Sequence, residues 1–288
     1  MPSGLVLLDK PEGFTSHDAV AKLRRILGTR KIGHAGTLDP MATGLLVLGV
    51  DAGTKLLQFL VGVDKQYLAT IRLGQTTTTD DAQGELTSSK DASNVSLQDI
   101  QREMAKLTGP IQQIPSSVSA IKVDGKRAYD LVREGKSVEL KPRAVTVSRF
   151  EILGEVRNSD QLVDLDVLVD CSSGTYVRAL ARDLGEALGA GGHLTALRRT
   201  RVGSYRIDQA SGLSDEPTVL DLGEAAKAIF PAVAITSAQE RDLIHGKRIL
   251  LTGADRVSAF CNGRLVGILE RIGEQHRSLV VFPEESND

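Results

Sequence analysis

The interpretation of this chain depends on one stretch, Gly33-His34-Ala35-Gly36-Thr37-Leu38-Asp39-Pro40-Met41-Ala42-Thr43-Gly44. Two close glycines, Gly33 and Gly36, allow a loop whose backbone can approach a ligand. Asp39 precedes a proline, which favours an extended conformation and disfavours burial within a helix. A carboxylate in such a loop suits a nucleophile or a general base, although aspartate before proline also commonly caps a turn. The glycines form neither a dinucleotide-binding fingerprint nor a P-loop, so no nucleotide cofactor is predicted.

The composition is typical of a globular protein from a reducing compartment. Of 288 residues, 41% are hydrophobic and 25% are charged, and tryptophan is absent, so any base stacking must use other side chains. The two cysteines, Cys171 and Cys261, have no Cys or His partners at zinc spacing, which argues against a metal site or disulfides and favours the cytoplasm. No signal peptide is predicted, and no apolar run approaches the ~18 residues of a membrane span.

Basic residues are unevenly distributed along the chain. The net charge is only −2, yet residues 21–38 contain five basic side chains and no acidic ones. Residues 171–206 contain six arginines against Asp183 and Glu186. Local basic surface, more than total charge, determines attraction to phosphates, so these segments are candidates for nucleic-acid binding. Scattered solvated charge is the alternative that composition alone favours.

Hydrophobic periodicity predicts a mixture of helices and strands. Ser16 is a candidate N-cap for a helix carrying Val20, Leu23 and Leu27 at helical spacing. The alternation across Leu162–Asp170 predicts a half-buried antiparallel strand, and a further helix is expected to begin near Tyr176. Further predictions are strands at Gly44–Val50 and Tyr67–Leu73 and a helix capped at Ser96. Without regular βα alternation, the pattern predicts an α+β fold with a mixed, largely antiparallel central sheet flanked by helices.

A boundary between two domains is expected near residue 230. The acidic, proline-containing stretch Ser211–Pro217 leads towards it, and after Pro231 the chain consists of short β segments. Asn262-Gly263 lies between two such segments and is a strong hairpin-turn signal. The sequence therefore predicts a large domain over residues 1–230 and a small β-rich domain over residues 231–288.

The stretch around Asp39 resembles the catalytic motif of the TruB family, the bacterial tRNA pseudouridine-55 synthases, and five ordered motifs resemble others of that family. Besides the stretch around Asp39, they are Lys10–Ser16, Lys65–Ala69 with Leu73-Gly74, Pro115–Tyr129, Cys171–Arg178 and His193–Arg199. Because they occur in order over about 200 residues, an accidental match is implausible, although a single motif is only a hypothesis. The resemblance implies the pseudouridine synthase fold, with an RNA-gripping insertion at about residues 110–150 and a PUA-like C-terminal domain. No sharp motif supports that last assignment, and a generic β appendage is the alternative.

The resemblance also implies the reaction. A pseudouridine synthase converts uridine to pseudouridine at position 55 of the tRNA T-loop by breaking the C1′–N1 bond and forming a C1′–C5 bond. This isomerisation needs no redox change and no group donor, which agrees with the expectation of no cofactor and no metal. Asp39 is implied to be the essential carboxylate, attacking the sugar or assisting glycal formation, and the target nucleotide must be flipped out of its stack.

Five further side chains are implied to meet the flipped nucleotide: Lys10, His34, Tyr67, Arg178 and Leu197. Tyr67 matches the residue that lies against the base, and Arg178 is expected to pair with Asp39 and to hold it ionised and oriented. His34 matches the residue that fills the space around the extruded nucleotide, and Leu197 is expected to form an apolar wall. Taken singly, four of these side chains have a plainer interpretation: strand packing for Tyr67, a solvated helix arginine for Arg178, an incidental loop histidine for His34 and a core leucine for Leu197.

Six basic residues are implied to bind phosphates, which orients the RNA without specifying its bases. These residues are Lys122, Lys126, Arg127, Arg198, Arg199 and Arg201. Val118 departs from the family pattern, because many members carry an aromatic residue there. A stacking contact from the insertion is therefore in doubt.

Three functions are consistent with the sequence. The first is a monomeric synthase whose partner is the T-stem-loop of tRNA, with no obligate protein partner and no membrane. The second is a non-catalytic RNA-binding protein or RNA chaperone on the same scaffold, which the intact set of Asp39, Tyr67 and Arg178 disfavours. The third is a hydrolase of glycosidic bonds, which lacks an evident second carboxylate placed as its acid–base partner.

Overall fold

A computed structural model describes residues 3–116, 122–123, 126–127, 140–213 and 216–283. Within these ranges the α-helices are α1 (Ser16–Leu27), α2 (Gln58–Val61), α3 (Leu97–Lys106), α4 (Val177–Ala187), α5 (Leu222–Ile229) and α6 (Ser237–Ile244). Two 3-10 helices span Asp51–Leu56 and Ile207–Gln209. Val118 lies outside the described residues.

The strands form two large sheets and two short pairs. The first large sheet contains β1 (Gly4–Lys10), β2 (Ile32–His34), β3 (Thr43–Val50), β4 (Lys65–Leu73), β7 (Gly109–Gln113), β10 (Arg143–Ser159), β11 (Leu162–Cys171), β12 (Gly192–Val202), β13 (Tyr205–Arg206) and β14 (Leu220–Asp221). The short pairs are β5 (Gln75–Thr77) with β6 (Leu86–Ser89), and β8 (Lys122–Val123) with β9 (Lys126–Arg127). The second sheet contains β15 (Ala232–Ala234), β16 (Ile249–Leu250), β17 (Arg256–Cys261), β18 (Arg264–Ile272) and β19 (Gln275–Val281).

The central sheet is mixed and largely antiparallel, which confirms the predicted α+β class. Its strands follow the order β14-β1-β3-β12-β4-β11-β10-β7, with β2 on β3 and β13 on β12. The β3–β12 pair is parallel, whereas β12 runs antiparallel to β4 on its other side. The late strand β12 thereby joins the two halves of the sheet.

The alternation predicted for β11 determines which face of the sheet is buried. Val163, Leu165, Val167 and Val169 are all 0% exposed and pack in one cluster with apolar side chains of α1, α3 and α4. Burying each such side chain contributes about 1.5–3 kcal/mol relative to exposure. The opposite face is polar, since cross-strand pairs such as Thr70–Asp166 and Arg72–Asp164 lie along it.

The start of α1 differs from the prediction by one residue. Thr15 is the N-cap: its side chain accepts a hydrogen bond from the Asp18 amide, and the Asp18 carboxylate accepts one from the Thr15 amide. Ser16 is the first helical residue and is 1% exposed. Its hydroxyl is therefore free to bind a different part of the chain.

The second sheet packs against the first through α5. Ala225 and Ala226 of α5 share a buried cluster with Leu5 of β1 and with Phe260 and Ile268 of the second sheet. Asn262 and Gly263 have φ values of 50° and 79°, as expected for the turn of the predicted hairpin. The C-terminal region also contains α6, which the prediction of β segments alone missed. In the described part of the chain, no helix is long and apolar enough to cross a membrane.

Candidate active site

The loop that carries Asp39 connects β2 to β3, and a buried serine fixes it on one side. The hydroxyl of Ser16 accepts a hydrogen bond from the Leu38 amide at 2.9 Å and donates one to the Leu38 carbonyl at 3.2 Å. Both polar groups of the residue before Asp39 are thus bound by one side chain. The carboxylate itself remains 39% exposed and lines a cavity.

Lys10 fixes the other side of Asp39. Its ammonium donates to the carbonyls of Phe14 (2.6 Å), Pro11 (3.0 Å) and Pro40 (3.4 Å), and Pro40 directly follows Asp39. Burial lowers the pKa of Lys10 to about 8, although the nearby charge of Asp39 opposes that shift. Because Lys10 is 0% exposed, the structure does not support the predicted substrate contact. Instead, the Lys10 side chain stabilises the loop through its hydrogen bonds to these backbone carbonyls.

Arg178 lies between two carboxylates. The expected pair is present: Arg178 Nε is 3.0 Å from Asp39 Oδ2, and the arginine side chain is only 4% exposed. Its Nη1 donates to the Thr79 carbonyl at 2.7 Å and lies 3.3 Å from Asp81 Oδ2. Thr79 Oγ1 and the backbone amide of Gln83 in turn donate hydrogen bonds to Asp81 Oδ1, the other oxygen of this carboxylate. A buried network therefore fixes the guanidinium that faces Asp39.

Asp81, which is 5% exposed in the turn between β5 and β6, was not predicted as a site residue. A possible signal was the run Thr79-Asp80-Asp81 followed closely by Gly84. Lys65 was not predicted as a site residue either, although it lies in one of the motifs that resemble the family. It lines the cavity and donates to the carbonyls of Val61 and Val63. Burial, together with the nearby charge of Arg199, lowers the pKa of Lys65 to about 8.

The cavity beside Asp39 has a volume of about 250 Å³ and is lined by both predicted base-contacting side chains, Tyr67 and Leu197. Each of them is 8% exposed. Burial raises the pKa of the Tyr67 phenol, so the hydroxyl stays protonated at neutral pH. The site therefore combines an accessible carboxylate with an apolar side chain, Leu197, and a neutral phenol.

Arg199 is also part of this cavity, and the structure corrects its predicted role. The side chain is 1% exposed, and its guanidinium donates to the carbonyls of Leu45 (2.7 Å), Gly36 (3.1 Å) and Thr37 (3.4 Å). A guanidinium buried among loop carbonyls is not placed to bind a phosphate of the RNA backbone. Arg199 instead fixes the loop before Asp39.

His34 ends β2 and packs against a second histidine. The rings of His17 and His34 meet edge to face, with their centroids 5.8 Å apart. Burial lowers the pKa of His34, and the neighbouring charges of His17 and Arg199 act in the same direction. The imidazole of His34 is therefore neutral at physiological pH, which suits packing against an uncharged group. Within the described ranges, no group of three or more metal-ligating side chains is placed to hold an ion.

Comparison with known proteins identifies the family. The model of the TruB family pseudouridylate synthase N-terminal domain matches residues 24–177, and that of the tRNA pseudouridylate synthase B C-terminal domain matches residues 178–225. A protein from Leifsonia xyli subsp. xyli named tRNA pseudouridine synthase B is 53% identical over 98% of this chain and 97% of its own length. The chain belongs to the TruB family.

A further relative and two solved structures are also similar to this chain. The Mycobacterium tuberculosis (strain H37Rv) protein named tRNA pseudouridine synthase B is 51% identical to the TruB-family chain, over 97% of this chain and 95% of the relative. An H/ACA RNP bound to a substrate RNA containing 2′-deoxyuridine matches with a TM-score of 0.71 and 22% identity, over 98% of this chain and 86% of the other. A Cbf5-Nop10-Gar1 complex matches with a TM-score of 0.69 and 23% identity, over 97% and 84%. At such identities the structures show a shared fold.

The remaining predicted phosphate-binding residues of this TruB-family chain have different surroundings. Arg198 is 40% exposed and pairs with Asp9 at 2.6 Å, and Arg201 is 26% exposed and pairs with Asp170 at 2.7 Å. To bind a phosphate, either arginine would have to contact the phosphate and its carboxylate partner at the same time. The backbones of Lys122 and Lys126–Arg127 pair as β8 and β9, and their side chains lie outside what the structure describes.

Replacing Ser16 with alanine tests whether the Leu38 contacts position Asp39. We expect the rate of the reaction proposed below to fall about tenfold, because small misplacements of reacting groups can cost up to 10²-fold. Affinity for RNA should stay unchanged, since no phosphate contact is lost. Single-turnover kinetics and filter binding measure the two effects.

Ser237→Ala is the matched control, because Ser237 is likewise the first residue of a helix behind a threonine cap. Equal rates for Ser16→Ala and the wild-type chain would contradict this role.

Proposed function

We propose that this chain converts uridine to pseudouridine in the T-loop of tRNA, at position 55, with Asp39 as its essential catalytic residue. Membership of the TruB family supports the reaction class, and the names of relatives about 50% identical support tRNA as the substrate. The C1′–N1 bond breaks, the uracil turns, and a C1′–C5 bond forms. The proton on C5 leaves and N1 gains one, so the reaction is an isomerisation without a co-reactant.

The observation that carries this proposal is the unequal exposure of one ion pair. The Asp39 carboxylate is 39% exposed, whereas its Arg178 partner is 4% exposed. A purely structural buried pair would have both charges covered, and a surface pair would have both exposed. Here a buried cation orients an accessible anion that faces a cavity. This arrangement suits a carboxylate that attacks C1′ or assists loss of the C2′ proton on the route through a glycal.

The cavity is suited to one flipped pyrimidine. Leu197 supplies an apolar wall of the cavity. Tyr67 also lines it, and burial keeps the Tyr67 phenol protonated. Its hydroxyl would have to pass its own proton on before it could accept the one leaving C5. His34, neutral and packed on His17, ends the strand that leads into the loop. We propose that it occupies space near the extruded nucleotide.

A hydrolase of the same glycosidic bond is the competing function. Hydrolysis with inversion needs a second carboxylate, with a water molecule between the two. Among the described residues, the other carboxylate at Arg178 is Asp81, and its 5% exposed side chain is already bound by Thr79 and Gln83. Asp81 is therefore not available to activate water, which favours isomerisation.

One assay tests the proposal against its alternatives. Unmodified tRNA labelled with tritium at C5 of uracil is incubated with the chain. A synthase releases tritium and leaves the uracil attached to the RNA. Free uracil would instead indicate a hydrolase, and RNA binding without either product would indicate a binding protein.

Phosphate binding by the basic surface predicts a strong dependence on salt. Five candidate residues remain: Lys122, Lys126, Arg127, Arg198 and Arg201. If all of them contact phosphates, raising monovalent salt from about 50 mM to about 200 mM should weaken tRNA binding roughly 10²–10³-fold. Titrations at several salt concentrations measure the slope. A flat response would contradict the basic-surface proposal and leave the proposed chemistry untouched.

We propose that residues 1–230 form the catalytic domain and that residues 231–288 form a PUA-like domain. The start of the second sheet at Ala232 supports this division, as does its separate apolar cluster around Ile235, Val257 and Val266. A cytoplasmic setting is proposed because tRNA is processed there. The two cysteines are free and buried, which suits a reducing compartment. We propose tRNA as the partner and a monomer as the active form.

A further inference from the structure

A buried glutamine binds the chain at the point where the helix carrying Arg178 begins. Gln113, the last residue of β7, is 1% exposed. Its Nε2 donates to the Tyr176 carbonyl at 3.0 Å, and its Oε1 accepts from the Tyr176 amide at 2.8 Å. One side-chain amide thereby binds both backbone groups of one residue, as a neighbouring strand would.

Tyr176 is the N-cap of α4, and its side chain makes no capping hydrogen bond. The entry to this helix therefore lacks the usual contact from a serine, threonine or aspartate. Gln113 supplies a contact from a distant strand instead. Arg178 follows two residues later. The position of the Tyr176 backbone therefore determines the point from which the Arg178 side chain extends towards Asp39.

A second contact joins α4, one turn beyond Arg178, to the residue that follows β7. Arg182 Nη2 donates to the Ile114 carbonyl at 2.7 Å, and Nη1 donates to Asp80 at 3.1 Å. This contact restrains the middle of α4. It does not replace the Gln113 contact, because the first turn of a helix can move while later turns stay packed.

The polar side chain is not needed to hold β7 in the sheet. The ladder between β7 and β10 has five residue pairs, ending at Gln113–Arg143. An apolar residue of similar size would fill the space beside Tyr176 without a desolvation cost. The specific property of glutamine here is that it both donates and accepts.

We propose that Gln113 is a positioning residue for the reaction, which acts through the Tyr176 backbone to hold Arg178 against Asp39. The inference rests on the proposed function, since it concerns the same carboxylate. Gln113 does not line the cavity and touches no reacting atom. Its effect is on the rate of the chemical step rather than on RNA affinity.

The test is a Gln113→Glu variant of the full chain, assayed by single-turnover tritium release across about pH 5.5 to about pH 8.5. A protonated carboxyl group can donate to one Tyr176 group and accept from the other, as the amide does. An ionised carboxylate can only accept, and it faces the Tyr176 carbonyl oxygen. Burial raises the pKa of a carboxyl group from its usual value towards the pH values of the assay.

We expect the rate of Gln113→Glu, divided by the wild-type rate at each pH, to be lowered about tenfold at the alkaline end and to recover towards acid pH. Gln112→Glu is the matched control, because Gln112 is the adjacent residue in the strand and its side chain is exposed. The rate of this variant, divided by the wild-type rate, should not change with pH. Binding of tRNA by Gln113→Glu at each pH should equal that of the wild-type chain.

A pH-independent ratio for Gln113→Glu would overturn the inference. So would failure of both Gln113→Glu and Gln113→Leu to fold, because the side chain would then be required by the fold itself. A crystal structure of Gln113→Leu with Arg178 unmoved from Asp39 would also overturn it. Absence of tritium release from the wild-type chain would be a separate result, which rejects the proposed function.

Discussion

Replacing Asp39 with asparagine is expected to abolish tritium release, with a loss of at least about 10³-fold in single-turnover rate. Asparagine has nearly the same shape, but it is neutral and can neither attack C1′ nor remove a proton. Affinity for tRNA should stay within about threefold of the wild-type value, because phosphate contacts dominate RNA binding. Single-turnover kinetics and equilibrium binding on the same preparation measure both quantities.

The matched control is Asp208→Asn, since Asp208 is an exposed aspartate that also lies near an arginine. Its turnover and melting temperature should match those of the wild-type chain. Joint loss of folding and RNA binding in Asp39→Asn would mean that the carboxylate is structural. Retained turnover would remove Asp39 from the mechanism altogether.

Replacing Arg178 with lysine is expected to lower the single-turnover rate roughly 10²-fold while the chain remains folded. Lysine keeps the positive charge, but one ammonium cannot bind Asp39, Asp81 and the Thr79 carbonyl with the geometry of a planar guanidinium. Asp39 would lose the partner that orients it. Lysine is a sharper test than alanine, because removing one member of a buried pair commonly costs about 3–5 kcal/mol of stability.

Arg102→Lys is the control for this substitution, because Arg102 is a helical arginine that is 59% exposed and pairs with Asp99. Thermal unfolding of both variants shows whether the fold is intact. If Arg178→Lys matched the wild-type rate, the charge at that position would be sufficient and the geometry of the guanidinium would be irrelevant.

Local patterns were enough to predict the main elements of the fold. The alternation of β11 is visible in the sequence because one face is fully apolar, and the Asn262-Gly263 turn is visible because few other residues adopt positive φ at both positions. Helix α6 was missed because it carries one buried residue, Leu243, and therefore shows no clear apolar stripe.

Among the site residues, the basic side chains were the hardest to place. Strand alternation puts Arg199 and Arg201 on the same face, but β12 has a register shift between them. The shift leaves Arg199 paired with Tyr67 beside the cavity, while Arg201 pairs with Gln66 on the polar face. A bulge of one residue leaves no mark in the sequence. The burial of Lys10 was equally hidden, because it depends on carbonyls from Phe14 and Pro40 that only the folded loop brings together.

The position of β12 between β3 and β4 has a consequence for synthesis of the protein. Strands β3 and β4 are complete by residue 73, yet the strand that joins them begins at Gly192. Until that segment leaves the ribosome, β3 lacks its partner beside Thr43 and Gly44, since β2 pairs only with its far end. Strand β4 at first lacks both of its neighbours, because its other partner, β11, begins only at Leu162. Unpaired edges attract other strands, so the nascent chain passes through a long interval in which it is prone to self-association. Assembly of the cavity, which needs Leu197 and Arg199, can only follow that late insertion.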